Sequence, residues 1–246
     1  MFSASHARNR VRKAINHNRL PERSLELLVV LAESALELAP KETWSHPAVV
    51  ADAKRRGVAP ERILLDRSLH HAAMSKLTDG FKRGRPDLVH TTMLAVTGSP
   101  LYLEGKALLV VHTSADVVLE FRRETRIPKS YARFRSLVEI ALSKGEGSEL
   151  FSVYRARMTE LLSRKLRAGR VWGLTTQGKP MKLNELAPDM ARFGRPCAVI
   201  GGFPHGHFSE DTAKACDMLV RVHERPLEAH VVVSRLLYEV EETIND

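Results

Sequence analysis

Cysteine is almost missing from this chain. Its 246 residues hold two, Cys197 and Cys216, too few for a disulfide scaffold or a Cys-rich zinc module. Amides are also scarce, with a single Gln and five Asn, which fits a high-temperature source. No long hydrophobic run is present. The longest candidate, Leu27 to Ala32, is bounded by Glu26 and Glu33 and falls far short of the ~20 apolar residues of a membrane helix. The N-terminal stretch is basic and polar through Arg23 and lacks an apolar h-region, so no secretory signal is read. Fourteen glycines and twelve prolines exclude collagen-like and Pro-rich chains. Apolar residues at 43% exclude a disordered chain. A soluble cytoplasmic protein without membrane contact is the expectation.

What is present is positive charge, unevenly spread. Lys and Arg number 38 against 29 Asp and Glu, a formal net charge of +9. That is the footprint of a polyanion partner, although many basic proteins bind nothing specific, so distribution matters more. Residues 122–135 and 155–170 each carry six basic residues and one acid. The first 23 residues do the same. From Ser209 onward the balance reverses to four basic and nine acidic.

Strand and helix patterns alternate. Residues 1–25 lack a sustained apolar period and read as a basic arm; residues 26–246 read as one domain. Strands are expected over Leu27–Glu33, Ile63–Leu65, Ala107–His112, Val117–Phe121, Val171–Leu174, Pro196–Ile200 and Met218–Val222. The two in the middle are four residues apart and suit a hairpin. Helices are expected over His46–Gly57, Ser68–Leu77, Pro86–Val96, Ser130–Leu142, Ser148–Leu166, Leu183–Arg192, Glu210–Cys216 and Leu227–Ile244. Thr175–Lys182 reads as a polar loop. This alternation predicts an α/β fold with a largely parallel sheet.

Three motifs stand out. Gly201, Gly202 and Gly206 follow a strand and precede a helix. Their spacing fits neither G-x-G-x-x-G nor a P-loop, so an ordinary Gly-rich turn and a ligand loop both stay open. The position beyond a strand end favours a ligand. His205 and His207 lack further ligands at metal spacing, so no metal is expected. His70 and His71 read as packing or capping residues, and both cysteines as small buried hydrophobes. Arg85-Pro86-Asp87 is a good helix start, with Pro in the first turn and an acid near the positive end. It would also let Asp87 hold Arg85 as a fixed fork for phosphate or a base edge. Arg126, Lys129 and Arg133 surround another helix N-terminus. Cations are electrostatically unfavourable there, which points to a compensating anion such as RNA phosphate.

These residues fall in stretches that resemble the archaeal ribosome-biogenesis pseudouridine N1-methyltransferases of the SPOUT superfamily. The stretches are LVVLAESALEL (Leu28–Leu38), ILLDRSLHHAAMSKL (Ile63–Leu77), GRPDLVH and SPLYLEGKALLVVHTS (within Gly84–Ser114), and TRIPKSYARF (Thr125–Phe134). AVIGGFPHGHF and VRVHERPLEA add to them in the C-terminal half. The resemblance implies a SPOUT-type knotted α/β fold, mainly parallel, with a C-terminal trefoil knot. It implies a homodimer that methylates N1 of a pseudouridine in a small-subunit rRNA hairpin, with ribosomal proteins as a further partner class. It implies S-adenosylmethionine as cofactor, held by Leu174, Gly201, Gly206, Val222, His223, Glu224, Arg225, Pro226 and Leu227. It places Arg85, Arg126, Lys129 and Arg133 on RNA, with Asp87 orienting Arg85 and no general base assigned. Lys129 stands where some relatives carry Arg, a point charge in place of a fork. Two other readings fit the same residues: a ribose 2′-O-methyltransferase on this fold, and an rRNA-binding assembly factor for which methylation is secondary.

Overall fold

The strand Leu27–Ser34 (β1) is buried along its whole length, as an unbroken apolar run in the middle of a parallel sheet should be. The computed structural model describes residues 25–123 and 125–245; the basic arm lies outside the described residues but for Leu25. After β1 come the helices Pro47–Arg56 (α1), Arg67–Met74 (α2), Pro86–Thr97 (α3) and Pro100–Leu103 (α4). The hairpin Ala107–Thr113 (β2) and Val117–Phe121 (β3) follows, then Tyr131–Lys144 (α5) and Phe151–Arg155 (β4). A short helix at Met158–Glu160 (α6) runs on into a π-helical turn over Leu161–Lys165. The chain continues through Arg170–Pro180 (β5), Leu183–Ala191 (α7), Pro196–Gly201 (β6), Glu210–Lys214 (α8), Met218–Arg221 (β7) and Ala229–Asn245 (α9).

The strands form one seven-stranded sheet in the order β4-β3-β2-β1-β6-β5-β7. The five from β2 to β7 run parallel, and β3 and β4 add an antiparallel edge. One face packs on α3, α4, α5, α7 and α9, burying Trp172, Phe134 and Leu236 among others. The other face is covered by the segment around α6, with Met158, Leu161, Leu162 and Leu166 over Leu28, Val30 and Val199. The apolar face of α9 is used within the chain, where Val233, Leu236 and Val240 are fully covered and the helix lies against α3 and α7.

Most helix ends follow local chemistry. His46 caps α1 by accepting Ala48 N–H at 3.2 Å. Gly57 ends that helix in the left-handed region at φ 65°, where glycine carries no Cβ penalty. Asp66 caps α2, accepting Ser68 N–H at 3.0 Å.

Two expectations are corrected. Ser148–Leu166 is not one helix. Phe151–Arg155 pairs antiparallel with β3, Phe121 opposite Phe151, and the two rings lie 5.1 Å apart. The period-2 pattern of Phe151 and Val153 fills an edge of β3 whose backbone groups need partners. The helical spacing of Met158, Leu161 and Leu162 belongs to a separate turn. Ile63–Leu65 is fully buried but makes only an isolated bridge, Leu38 to Leu64. Leu64 N–H is taken instead by the Glu139 carboxylate at 2.9 Å, which also grips Arg56. Two smaller differences concern α4, a one-turn helix where only a stop is expected, and β5, which extends through most of the expected polar loop.

That extension has an unusual shape. Val220 of β7 pairs with Leu174 and again with Lys179, so residues 175–178 arch over β7. A Cβ on Gly178 would lie 2.4 Å from Val220 N and 2.5 Å from Leu219 C. Only glycine fits against backbone that cannot move aside. Gly178→Ala is therefore expected to lower stability by about 2–3 kcal/mol, the scale of overpacking. Thr176→Ala, in the exposed part of the same arch, should leave the urea midpoint unchanged. Equal midpoints for the two variants would refute the close crossing.

Candidate functional site

The C-terminal ends of β6 and β7, with Leu174–Thr176 in the middle of β5, open onto a cavity of about 700 Å³. Ligands bind beyond strand ends in open α/β sheets, and the size suits a small-molecule site. Leu174 and Ile200 are buried, and Leu88 and Val232 contribute from α3 and α9. Two loops form the remaining walls, residues 201–208 after β6 and residues 222–229 after β7. All nine residues that the resemblance names for a cofactor line this one cavity: Leu174, Gly201, Gly206, Val222, His223, Glu224, Arg225, Pro226 and Leu227. Thr175, Thr176, Arg221 and Glu228 line it as well. No sequence pattern marks these four, since single polar residues in strands or loops carry no periodic signal.

The loop after β6 is shaped by its glycines. Gly202 N–H donates to Ala32 O, and Gly202 O accepts Ala35 N–H, both at 2.8 Å. A Cβ there would fall 2.2 Å from Ser34 Oγ. Gly206 sits at φ 97°, and its Cβ would meet Phe81 Cε2 at 3.0 Å and Lys82 Cε at 3.1 Å. The loop after β7 is closed locally, with His223 Nδ1 accepting Arg225 N–H at 3.1 Å. His205 and His207 are exposed. Among the described residues no group of three or more His, Cys, Asp and Glu could hold a metal ion. Burial pushes the Cys216 thiol up to about 12 and raises the Cys197 thiol too, so neither is a nucleophile at neutral pH.

Beside the cavity, Arg85 and Asp87 form a two-bond fork. Nε donates to Oδ1 at 2.8 Å and Nη2 to Oδ2 at 2.9 Å. These bonds raise the guanidinium further, and the carboxylate of Glu228, a cavity residue, adds to the effect. Burial works to raise the Asp87 carboxyl, but the Arg85 bonds and charge outweigh it and hold it below its ordinary value. A carboxylate so low, with both oxygens engaged, is a poor base and a good orienter.

The segment 125–131 is tied to the same helix. Thr125 and Ile127 are buried, which turns Arg126 between them outward. His90 of α3 bonds Pro128 O through Nε2 at 2.7 Å and stacks on Phe134 at 4.4 Å. Tyr131 donates to Asp66 Oδ2 at 2.5 Å; burial, then Asp66, raises its hydroxyl pKa. Arg126, Lys129 and Arg133 are all exposed, and no carboxylate of the described residues lies within 4.0 Å of them. His90, Asp66 and Tyr131 were not singled out from the sequence. They look like ordinary core or cap residues there, and only the fold shows what they hold.

The chain resembles known proteins over most of its length. A ribosomal RNA small subunit methyltransferase Nep1 from Pyrobaculum islandicum is 42% identical over 220 residues, 87% of this chain and 97% of that protein. The Nep1 of Thermococcus onnurineus is 40% identical over 219 residues, 87% and 98% of the two chains. The crystal structure of Archaeoglobus fulgidus Nep1 bound to S-adenosylhomocysteine matches with a TM-score of 0.78 at 33% identity, covering 91% of this chain and 100% of that one. The pattern of the EMG1/NEP1 methyltransferases matches residues 29–241, and the chain belongs to that family.

Proposed function

We propose that the chain is an S-adenosylmethionine-dependent methyltransferase that acts in small-subunit ribosome biogenesis. Its substrate on this reading is N1 of a pseudouridine in a small-subunit rRNA hairpin loop, and it works as a cytoplasmic homodimer with residues 26–246 as one domain. The observation that carries the cofactor assignment is the cavity, because all nine expected cofactor residues converge on it. The likeness to a Nep1 bound to S-adenosylhomocysteine supports it. So does the fit: apolar Leu174, Ile200 and Leu227 stand beside Thr175 and Glu224, and the loop after β6 turns on Gly202 and Gly206, where a Cβ would crowd Ser34 and Phe81. The C-terminal trefoil knot belongs to the same proposal, supported by the arch of residues 175–178 over β7. No helix among the described residues is long and apolar enough to cross a membrane.

The cofactor, when bound, supplies an electrophilic methyl group. The chain's own task is placement. Pseudouridine has a ring N1–H where uridine has its glycosidic bond, and a loop base can be splayed out to present it. Arg85 is held rigid by Asp87, and its Nη1 hydrogens remain for a phosphate or base edge. Arg126, Lys129 and Arg133, all exposed around the start of α5, supply further charge. Holding the acceptor nitrogen in line with the methyl group is the main source of rate.

Four outcomes are expected. Gly206→Val should abolish S-adenosylhomocysteine binding in calorimetry. Valine cannot hold φ 97° or pass Phe81, so the wall must move; undiminished affinity would remove the loop from the site. Arg85→Ala should weaken binding of a pseudouridine hairpin by about 1–3 kcal/mol and leave cofactor affinity and melting temperature unchanged. Asp87→Gly should show the same RNA defect together with lower stability, through the lost charge near the helix start and the glycine itself. If Arg85→Ala binds the hairpin normally at moderate salt, the basic residues are only a solvated face. For assembly, the reading places a two-fold contact on the outer side of α9, where Tyr238 is 58% exposed. Sedimentation at micromolar protein should give a dimer, and a monomer would contradict it.

A further inference from the structure

The end of β1 carries a charge where a strand in the middle of a sheet should be apolar. Glu33 adopts φ 49° and is 9% exposed. Its Oε1 accepts Ser209 N–H at 2.7 Å and its Oε2 accepts the Lys82 ammonium at 2.8 Å. A left-handed residue that is not glycine costs energy, so its neighbours must hold it there. Lys82 is the centre of those contacts. Its ammonium also donates to His207 O and lies 4.4 Å from the centroid of the Phe203 ring. Its aliphatic stem covers the bare backbone of Gly206. One side chain thus touches the cavity loop at residues 203, 206 and 207, and ties it to the strand end that also holds Ser209.

This loop is irregular from 202 to 209, and free of contacts it would lose conformational entropy on binding a ligand. Neither Glu33 nor Lys82 lines the cavity, so any effect on a ligand passes through the loop. Lys82 lies three residues before Arg85, and Arg83 between them pairs with Glu37 at 2.5 Å. Burial acts to raise the Glu33 carboxyl, but Lys82 and the Ser209 amide outweigh it and leave it lowered. The Glu33 carboxylate therefore stays charged at neutral pH and loses its hold as pH falls through that depressed value.

We propose that Lys82 is a positioning residue that pre-forms the 203–209 wall of the cofactor cavity by clamping it to Glu33. The proposal rests on reading the cavity as the S-adenosylmethionine site. Two readouts on the full chain test it, one of them without cofactor. The first is calorimetry with S-adenosylhomocysteine. The second is hydrogen exchange of the Ser209 amide in the cofactor-free protein. Lys82→Met keeps a stem of similar length and removes the charge. It should weaken S-adenosylhomocysteine about tenfold and speed Ser209 exchange about tenfold, since local opening sets the exchange rate. Lys82→Arg, which restores a cation, should recover most of both. Wild-type affinity and exchange in Lys82→Met would overturn the proposal. So would a fallen melting temperature with no rescue by Lys82→Arg, because the residue would then be merely structural. A wild-type chain that fails to bind S-adenosylhomocysteine would instead overturn the reading of the cavity, while Ser209 exchange would still report on the clamp.

Discussion

β1 is enclosed on every side, and the geometry of the site follows from how it ends. Both of its edges are paired, to β2 and to β6, and both of its faces are covered. The strand can stop only where another piece of backbone takes over its hydrogen bonds. Gly202 does this, donating to Ala32 O and accepting from Ala35 N–H. The approach leaves no room for a side chain beside Ser34. The chain leaving β6 is thereby turned across the end of β1, while the chain leaving β7 goes the other way into α9. The space between them is the cavity.

The same constraint arranges the charges. In the run from Lys82 to Arg85 each basic side chain has its own carboxylate: Glu33 for Lys82, Glu37 for Arg83 and Asp87 for Arg85. The run is neutralised residue by residue. Such pairs contribute little to stability where exposed. What they do is fix direction, which for a guanidinium saves entropy when a phosphate arrives. Arg126, Lys129 and Arg133 are different, exposed and without a carboxylate nearby among the described residues. On the proposed RNA reading they contribute to the long-range attraction of a polyanion, the part that salt would screen.

How far the amino-acid pattern revealed this depends on what kind of signal each residue carries. β1, β2, β3 and β6 were readable because buried runs bounded by charge or glycine have few alternatives. α1 and α3 were readable because Pro stands at their first position. Phe151–Arg155 was lost because five residues of strand sit next to a helical pattern, and the pairing that decides the matter comes from distant β3. The grouping of the loops after β6 and β7 into one cavity is implied by the resemblance; the spacing of Gly201, Gly202 and Gly206 alone leaves it open. Arg85 and Asp87 were visible as a pair because they are two residues apart. Glu33 and Lys82 are 49 apart, and no local pattern links a strand-end acid to a loop lysine.

That distance in sequence bears on how the site works. In the proposed chemistry the N1–H proton leaves to water, because Asp87 is paired with Arg85 through both carboxylate oxygens. Rate then depends on geometry, where an error of about 1 Å can cost about a hundredfold. Two partners must be aligned, one in the cavity and one on the basic surface. On the proposed reading the segment from Lys82 to Arg85 serves both partners, with Lys82 fixed to the cavity loop and Arg85 held by Asp87 for the RNA. A short, multiply anchored piece of chain transmits little positional error from one end to the other. A flexible loop with the same residues would bind both partners and align neither.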